Sequence, residues 1–171
     1  LWNQTLNARG ESIFEKPAFR TSAKSKRCIV HVEGFYEHHH FGRKTYPYFI
    51  RLKDREHFAL AGLWEEWVDK ESGEHVHSFS IVTTEANDLL ERIHNNPKLE
   101  GPRMPVILTE EEEAVWLAPM KSPVDEAAIK SLIRPYPADA MTAYAVRSLL
   151  GKEGSGNRND ASEPFEYPEL L

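Results

Sequence analysis

A carboxylate at Glu37, an imidazole at His94, and the amide and guanidinium of Asn7 and Arg9 are the side chains of this sequence best suited to chemistry. A carboxylate and an imidazole make a general acid and base pair once a fold brings them within hydrogen-bond reach. Here 57 positions separate them, so local structure alone does not pair them. His94 ends a helix-like run at the mouth of a loop, where an imidazole is placed to give and take protons; a histidine answering the helix dipole is the alternative. Asn7 and Arg9 alternate in an extended segment, so both can face one way and hold a phosphate or an oxyanion. Turn formation is their alternative.

Other candidates are weaker on type and spacing. Cys28 stands between apolar positions of a strand, where a free cysteine reads as inert core rather than nucleophile. His38, His39 and His40 are consecutive, so in a strand they point to opposite faces and do not converge on one ion. His75 and His77 share a face, with no carboxylate or cysteine at a matching spacing, and no metal site is expected. Glu is mostly exposed as a residue type. Glu37 gains interest from Gly34, because a glycine in a strand-like run marks a bulge or a close backbone approach that re-aims the residues after it.

The 171 residues carry a net charge of −6, distributed unevenly. Residues 1 to 55 hold 11 Lys or Arg against 5 Asp or Glu, and the remainder 10 against 22. The basic segment, with Arg9, Arg20, Lys24, Lys26, Arg27, Arg43, Lys44 and Arg51, is suited to a phosphate-bearing partner, a solvated face being the alternative. One cysteine excludes an internal disulfide framework and fits a reducing compartment, with the cytoplasm as the default. No apolar run approaches a membrane span and no signal-peptide pattern opens the chain.

These side chains must be positioned mostly by strands. Arg27 to Glu33 alternates with period two, and Tyr46 to Lys53 and Phe58 to Trp64 read as two strands of a hairpin around Asp54-Arg55-Glu56. Gly42 and Gly73 mark turns, and His77 to Thr83 is a further strand. Thr84 caps a helix over Glu85 to Ile93 that stops at His94. The loop Asn95 to Pro102 leads to a short buried strand, Val106 to Leu108. Thr109 and Glu112 form a capping box for a helix through Trp116, and Ser122-Pro123 opens another that ends near Arg134. Met141 to Arg147 is the last strand and Gly151 to Ser162 a flexible loop. Leu1 to Leu6 read as the end of an element, and the absence of an opening methionine suggests a fragment of one domain that is incomplete at its N-terminus.

Several short motifs succeed one another in a telling order. They are Asn7-Ala8-Arg9-Gly10-Glu11, Arg27-Cys28 leading into Gly34-Phe35-Tyr36-Glu37, Pro47-Tyr48, Ala61-Gly62-Leu63-Trp64, Thr83-Thr84 with Ala86-Asn87, and Ile93-His94 with Arg103-Met104-Pro105-Val106-Ile107-Leu108. In order and spacing this set resembles the SOS-response-associated peptidase (SRAP) family over essentially the whole chain. The resemblance implies an α+β fold, mainly β, with a barrel-like core and a few flanking helices.

It also implies a partner and an activity: a groove for single-stranded DNA, and covalent cross-linking to abasic sites in the DNA damage response of a bacterial cytoplasm, at the nucleoid when bound. In the family a cysteine exposed by removal of the initiator methionine captures the ring-opened sugar aldehyde as a Schiff base and then as a thiazolidine, without a cofactor or metal. Carried over, Asn7 matches the asparagine beside that cysteine, Arg9 the arginine on DNA phosphate, Glu37 the proton shuttle and His94 the active-site histidine. Arg20 and Arg103 join Arg9 and Asn7 as expected DNA contacts. The family's Met-Cys-Gly-Arg start is not in these residues, which implies that they form no cross-link by themselves. Loop 95 to 102 also separates His94 from Arg103, whereas many members place an arginine almost directly after the histidine. A peptidase, including self-removal of the initiator methionine, and a non-catalytic DNA-binding module are the alternatives, with a metal-dependent hydrolase as an outsider.

Overall fold

The chain is described by a computed structural model over residues 5–151 and 154–170. The expected element at Leu1 to Leu6 therefore falls mostly, and the loop from Gly151 to Ser162 partly, outside the described residues. The fold is mixed α+β and mainly strands, with a curled, half-barrel sheet and four α-helices among the described residues, as the sequence led us to expect. Two units divide the chain. The first comprises residues 1–32, 58–84 and 104–135, the second residues 33–57, 85–103 and 136–171.

The first unit is built on a sheet in the order β1 (Asn7–Arg9), β6 (His75–Glu85), β5 (Phe58–Val68), β2 (Arg27–Val32). The short strands β7 (Arg103–Pro105) and β8 (Ile107–Leu108) add to β6 and β5. β1 runs parallel to β6 with Asn7 opposite Ile81 and Arg9 opposite Thr83; the other pairs with assigned register are antiparallel. β5 is apolar from Phe58 to Leu63, all buried, with β2, β6 and β8 paired along its edges and the helices Arg20–Ser25 and Glu110–Leu117 packed against it. Ala61, Leu63, Val82, Val106 and Leu108 form a core with Trp116 of α3 (Glu110–Leu117) and Ile129 of α4 (Pro123–Ser131). α3 begins with the expected capping box of Thr109 with Glu112; α4 is opened by Ser122 and Pro123 as expected and carries a second capping box, Ser122 with Asp125. Helix α1 (Arg20–Ser25) has no counterpart among the elements expected from sequence, since six residues carry too little apolar periodicity to announce it.

The second unit holds a three-stranded antiparallel sheet, β3 (Phe35–Phe41), β4 (Lys44–Leu52) and β9 (Met141–Ala145), in that order. Gly42, at φ +60°, opens the two-residue turn between β3 and β4. The expected hairpin of Tyr46–Lys53 with Phe58–Trp64 is not formed: β4 pairs with β3 and β9, while β5 pairs with β2, β6 and β8. Alternation identifies strands but does not say which ones pair, and here the turn residues mark a change of sheet. The helix of this unit, α2 (Asp88–Ile93), starts later than expected. β-branched Ile81 to Thr84 keep β6 extended through Glu85, and the cap is Asn87, whose Oδ1 accepts the Leu90 N–H at 3.0 Å.

Candidate active site

β3 carries Glu37 at its third position, half-buried between the exposed Tyr36 and His38. Gly34 is what lets the strand begin where it does. A Cβ there would lie 2.3 Å from Phe49 Cζ and 2.6 Å from the Ile50 carbonyl oxygen, so only glycine fits this approach of the backbone to β4. The carboxylate is then held from two sides. Its Oε1 accepts the His38 backbone N–H at 2.8 Å, and its Oε2 lies 3.3 Å from Nδ1 of His94. The side chains of His94 and Glu37 are only 16% and 24% exposed, so their attraction is less screened than that of a surface pair.

His94 is the C-cap of α2, fixed by its own N–H to the Leu90 carbonyl at 2.7 Å and by the burial of Leu90 and Ile93. Its ring meets Arg103 through the main chain: Nδ1 is 2.9 Å from the Arg103 carbonyl oxygen and 3.2 Å from the Arg103 nitrogen. Two more contacts tie the end of α2 to β3. His39 Nδ1 lies 3.0 Å from the Arg92 carbonyl oxygen. Asn95 accepts the His40 N–H on Oδ1 at 2.7 Å and donates Nδ2–H to the His40 carbonyl at 3.0 Å. Residues 37, 39 and 40 thus grip residues 94, 92 and 95. Sequence reasoning misses Asn95 and His39 as positioning groups, because both act across contacts 53 to 55 residues apart that leave no local signal.

Asn7 and Arg9 are exposed on β1 and flank the buried Ala8, so they do share the outward face that alternation requires. Gly10 comes next because a Cβ would strike Ile133 Cγ2 at 2.2 Å. Arg20 is exposed at the first position of α1. These three belong to the first unit, whereas Glu37, His94 and Arg103 belong to the second. Several other basic residues are committed within their own unit. The Arg27 guanidinium donates to the carbonyls of Trp116 at 2.6 Å and Lys24 at 3.0 Å, and to those of Ala23 and Ala118. Lys26 pairs with Glu65 and sits 5.2 Å from the centre of the Trp64 ring, and Lys44 pairs with Glu169. The phosphate-facing stripe suggested by charge therefore loses these three.

Cys28 is not core. It is half-buried and lines an open hollow of about 440 Å³ with Val30, Trp64, His77 and Phe79, while its neighbour Ile29 packs against the core. Burial pushes its thiol pKa up, which leaves it protonated and a poor nucleophile at neutral pH. His75 and His77 do have a carboxylate partner: Glu66, opposite His77 across the β5–β6 hairpin, lies 2.7 Å from His75 Nδ1 and 3.3 Å from His77 Nε2. Linear spacing hides that cross-strand neighbour. Among the described residues no group of three or more His, Cys, Asp or Glu is arranged to hold a metal ion.

A model of the family described as SOS response associated peptidase (SRAP) matches residues 2–153. The chain belongs to the SRAP family. This SRAP chain is 44% identical over 162 residues to the abasic site processing protein YoqW of Bacillus subtilis (strain 168), a match covering 94% of the chain and 66% of YoqW. It is 30% identical over 188 residues to the abasic site processing protein HMCES of Gallus gallus, covering 98% of the chain and 51% of HMCES. A crystal structure of a protein from Bacteroides thetaiotaomicron superposes with a TM-score of 0.84 at 41% identity, over 96% of this chain and 67% of that one. The SRAP chain thus spans just under two thirds of YoqW and about half of HMCES.

Proposed function

We propose that these 171 residues form one SRAP domain that serves an abasic-site processing protein, gripping single-stranded DNA and moving protons while a cysteine captures the sugar aldehyde. The observation that carries this reading is the Glu37–His94 pair, a half-buried carboxylate and imidazole at 3.3 Å, supported by relatives whose names state abasic site processing. Opening the sugar ring removes a proton from the anomeric hydroxyl and returns one to the ring oxygen. An α-amine then adds to the aldehyde, loses water to give an imine, and the thiol adds to the imine carbon to close a thiazolidine. Each step needs a positioned proton donor or acceptor, which is the work of Glu37 and His94.

In this reading Asn7 and Arg9 hold the phosphate or sugar oxygen from one strand, with Arg20 and Arg103 as further DNA contacts. Cys28 lies inside β2, where its nitrogen is a peptide N–H and not the free α-amine that imine formation needs, so in this reading the capturing cysteine is another one. The test uses the full-length protein with single-stranded DNA carrying one abasic site, and looks for an adduct that survives denaturation. Its absence would sink the proposal.

The family's description as a peptidase favours a second reading, self-removal of the initiator methionine. The intact mass of the full-length protein with and without Glu37→Ala decides whether the pair acts there.

A further inference from the structure

We infer that neutral His94 carries its proton on Nδ1, held there by Glu37 and the Arg103 carbonyl, so that Nε2 is the base the site presents. Three groups lie around Nδ1: the Arg103 carbonyl oxygen at 2.9 Å, the Arg103 nitrogen at 3.2 Å and Glu37 Oε2 at 3.3 Å. Two are acceptors, and one of these is a carboxylate. With the proton on Nδ1, the ring donates to the Arg103 carbonyl, and the Glu37 carboxylate at 3.3 Å attracts the positive end of the N–H dipole. With the proton on Nε2, the bare Nδ1 lone pair gains only the longer Arg103 N–H contact and faces the electron pairs of a carbonyl and a carboxylate within 3.3 Å. The balance favours Nδ1–H.

Glu37 cannot easily turn away from this duty, because its Oε1 is engaged by the His38 N–H at 2.8 Å. Nor can the ring retreat, because His94 is the C-cap of α2 and Asn95 is clamped to His40. Arg103 therefore acts on the ring through its main chain, as a positioning residue whose carbonyl sets the tautomer. The chemical role of the free Nε2 rests on the function proposed above: it takes a proton from the sugar hydroxyl or the adding amine, becoming imidazolium, and returns it at the ring oxygen or the departing water. Glu37 then stays ionised and stabilises the imidazolium, which assigns the two side chains unequal tasks.

The experiment is a ¹⁵N measurement of the His94 ring in the protein without DNA, above the pH at which the ring becomes neutral. The expected result is a pyridine-type signal at Nε2 and a pyrrole-type signal at Nδ1, with long-range coupling to the ring protons making the assignment. A pyridine-type signal at Nδ1 overturns the inference. Glu37→Ala should then raise the share of the Nε2–H ring about fivefold, through loss of the carboxylate's attraction for the Nδ1 proton. Glu37→Gln, which retains an amide oxygen as acceptor, should raise it less. An unchanged tautomer ratio in Glu37→Ala removes Glu37 from the assignment and overturns that half of it. These readouts need no DNA, so a missing DNA adduct sinks the proposed function and leaves the tautomer standing, whereas the wrong tautomer leaves the adduct assay untouched.

Discussion

Glu37 Oε2 and His94 Nδ1 lie 3.3 Å apart, one on a strand and the other at the end of a helix. In the full-length protein, Glu37→Ala should slow adduct formation with an abasic site about 100-fold, the lower end of what a positioned acid or base contributes. DNA affinity should stay the same, because a proton-transfer group is not a phosphate contact. Single-turnover rates alongside a binding titration separate the two effects. A loss of affinity equal to the loss of rate would make Glu37 a binding residue instead.

Gly34→Ala places a methyl group 2.3 Å from Phe49 Cζ and 2.6 Å from the Ile50 carbonyl oxygen. Phe49 is buried and the Ile50 carbonyl is backbone, so neither yields easily. We expect a loss of about 1–3 kcal/mol in urea unfolding. A neutral outcome would mean that the start of β3 is free to shift.

The site is legible in the sequence to the extent that it depends on residue type, and illegible where it depends on pairing. Glu37 and His94 stand out because a re-aiming glycine and a helix end are local signals. Their junction depends on α2 lying against β3, a long-range fact without a linear trace. Alternation likewise marks most of the strands, yet it suggests a hairpin of Tyr46–Lys53 with Phe58–Trp64 that does not form, because nothing local distinguishes a hairpin turn from a crossing between sheets. Capping boxes can be read from sequence since their whole geometry lies within four residues. The cap of α2 cannot, since Thr84 suits a cap as well as Asn87 does, and only the pairing of β6 through Glu85 decides between them.

Arg27 ties the carbonyl ends of α1 and α3 to β2 by donating to Ala23, Lys24, Trp116 and Ala118. Arg27→Met should leave several of these oxygens without a donor and cost about 3 kcal/mol of stability. DNA binding by the surviving folded protein should be unaffected. A stable variant that binds DNA less well would restore Arg27 to the phosphate-contacting group.

The Glu169 carboxyl is held at about 2, first by the hydrogen bond from the Lys44 ammonium, then by its own backbone N–H and the Tyr46 hydroxyl. Its ordinary value is 4.5, so ionised Glu169 favours the folded chain above about pH 4.5. That contribution is lost as pH falls from there toward 2. Lys44→Met should raise the carboxyl toward its ordinary value, which a side-chain NMR titration reads directly. No change would show that the backbone and Tyr46 suffice.

Cys28→Ala in the full-length protein should still form the adduct, and the Cys28 thiol should react slowly with iodoacetamide at neutral pH and faster as pH rises. Loss of the adduct in this variant would name Cys28 as the capturing residue.

Asn95 has a consequence beyond the site. β3 is the edge of its sheet, and an edge strand offers unpaired N–H and C=O groups on which another chain can add. By taking both the N–H and the C=O of His40 with one side-chain amide, Asn95 imitates a neighbouring strand for the length of one residue. At His40, three positions from Glu37, the edge therefore offers no backbone pair to a foreign strand, whose addition is a first step toward aggregation.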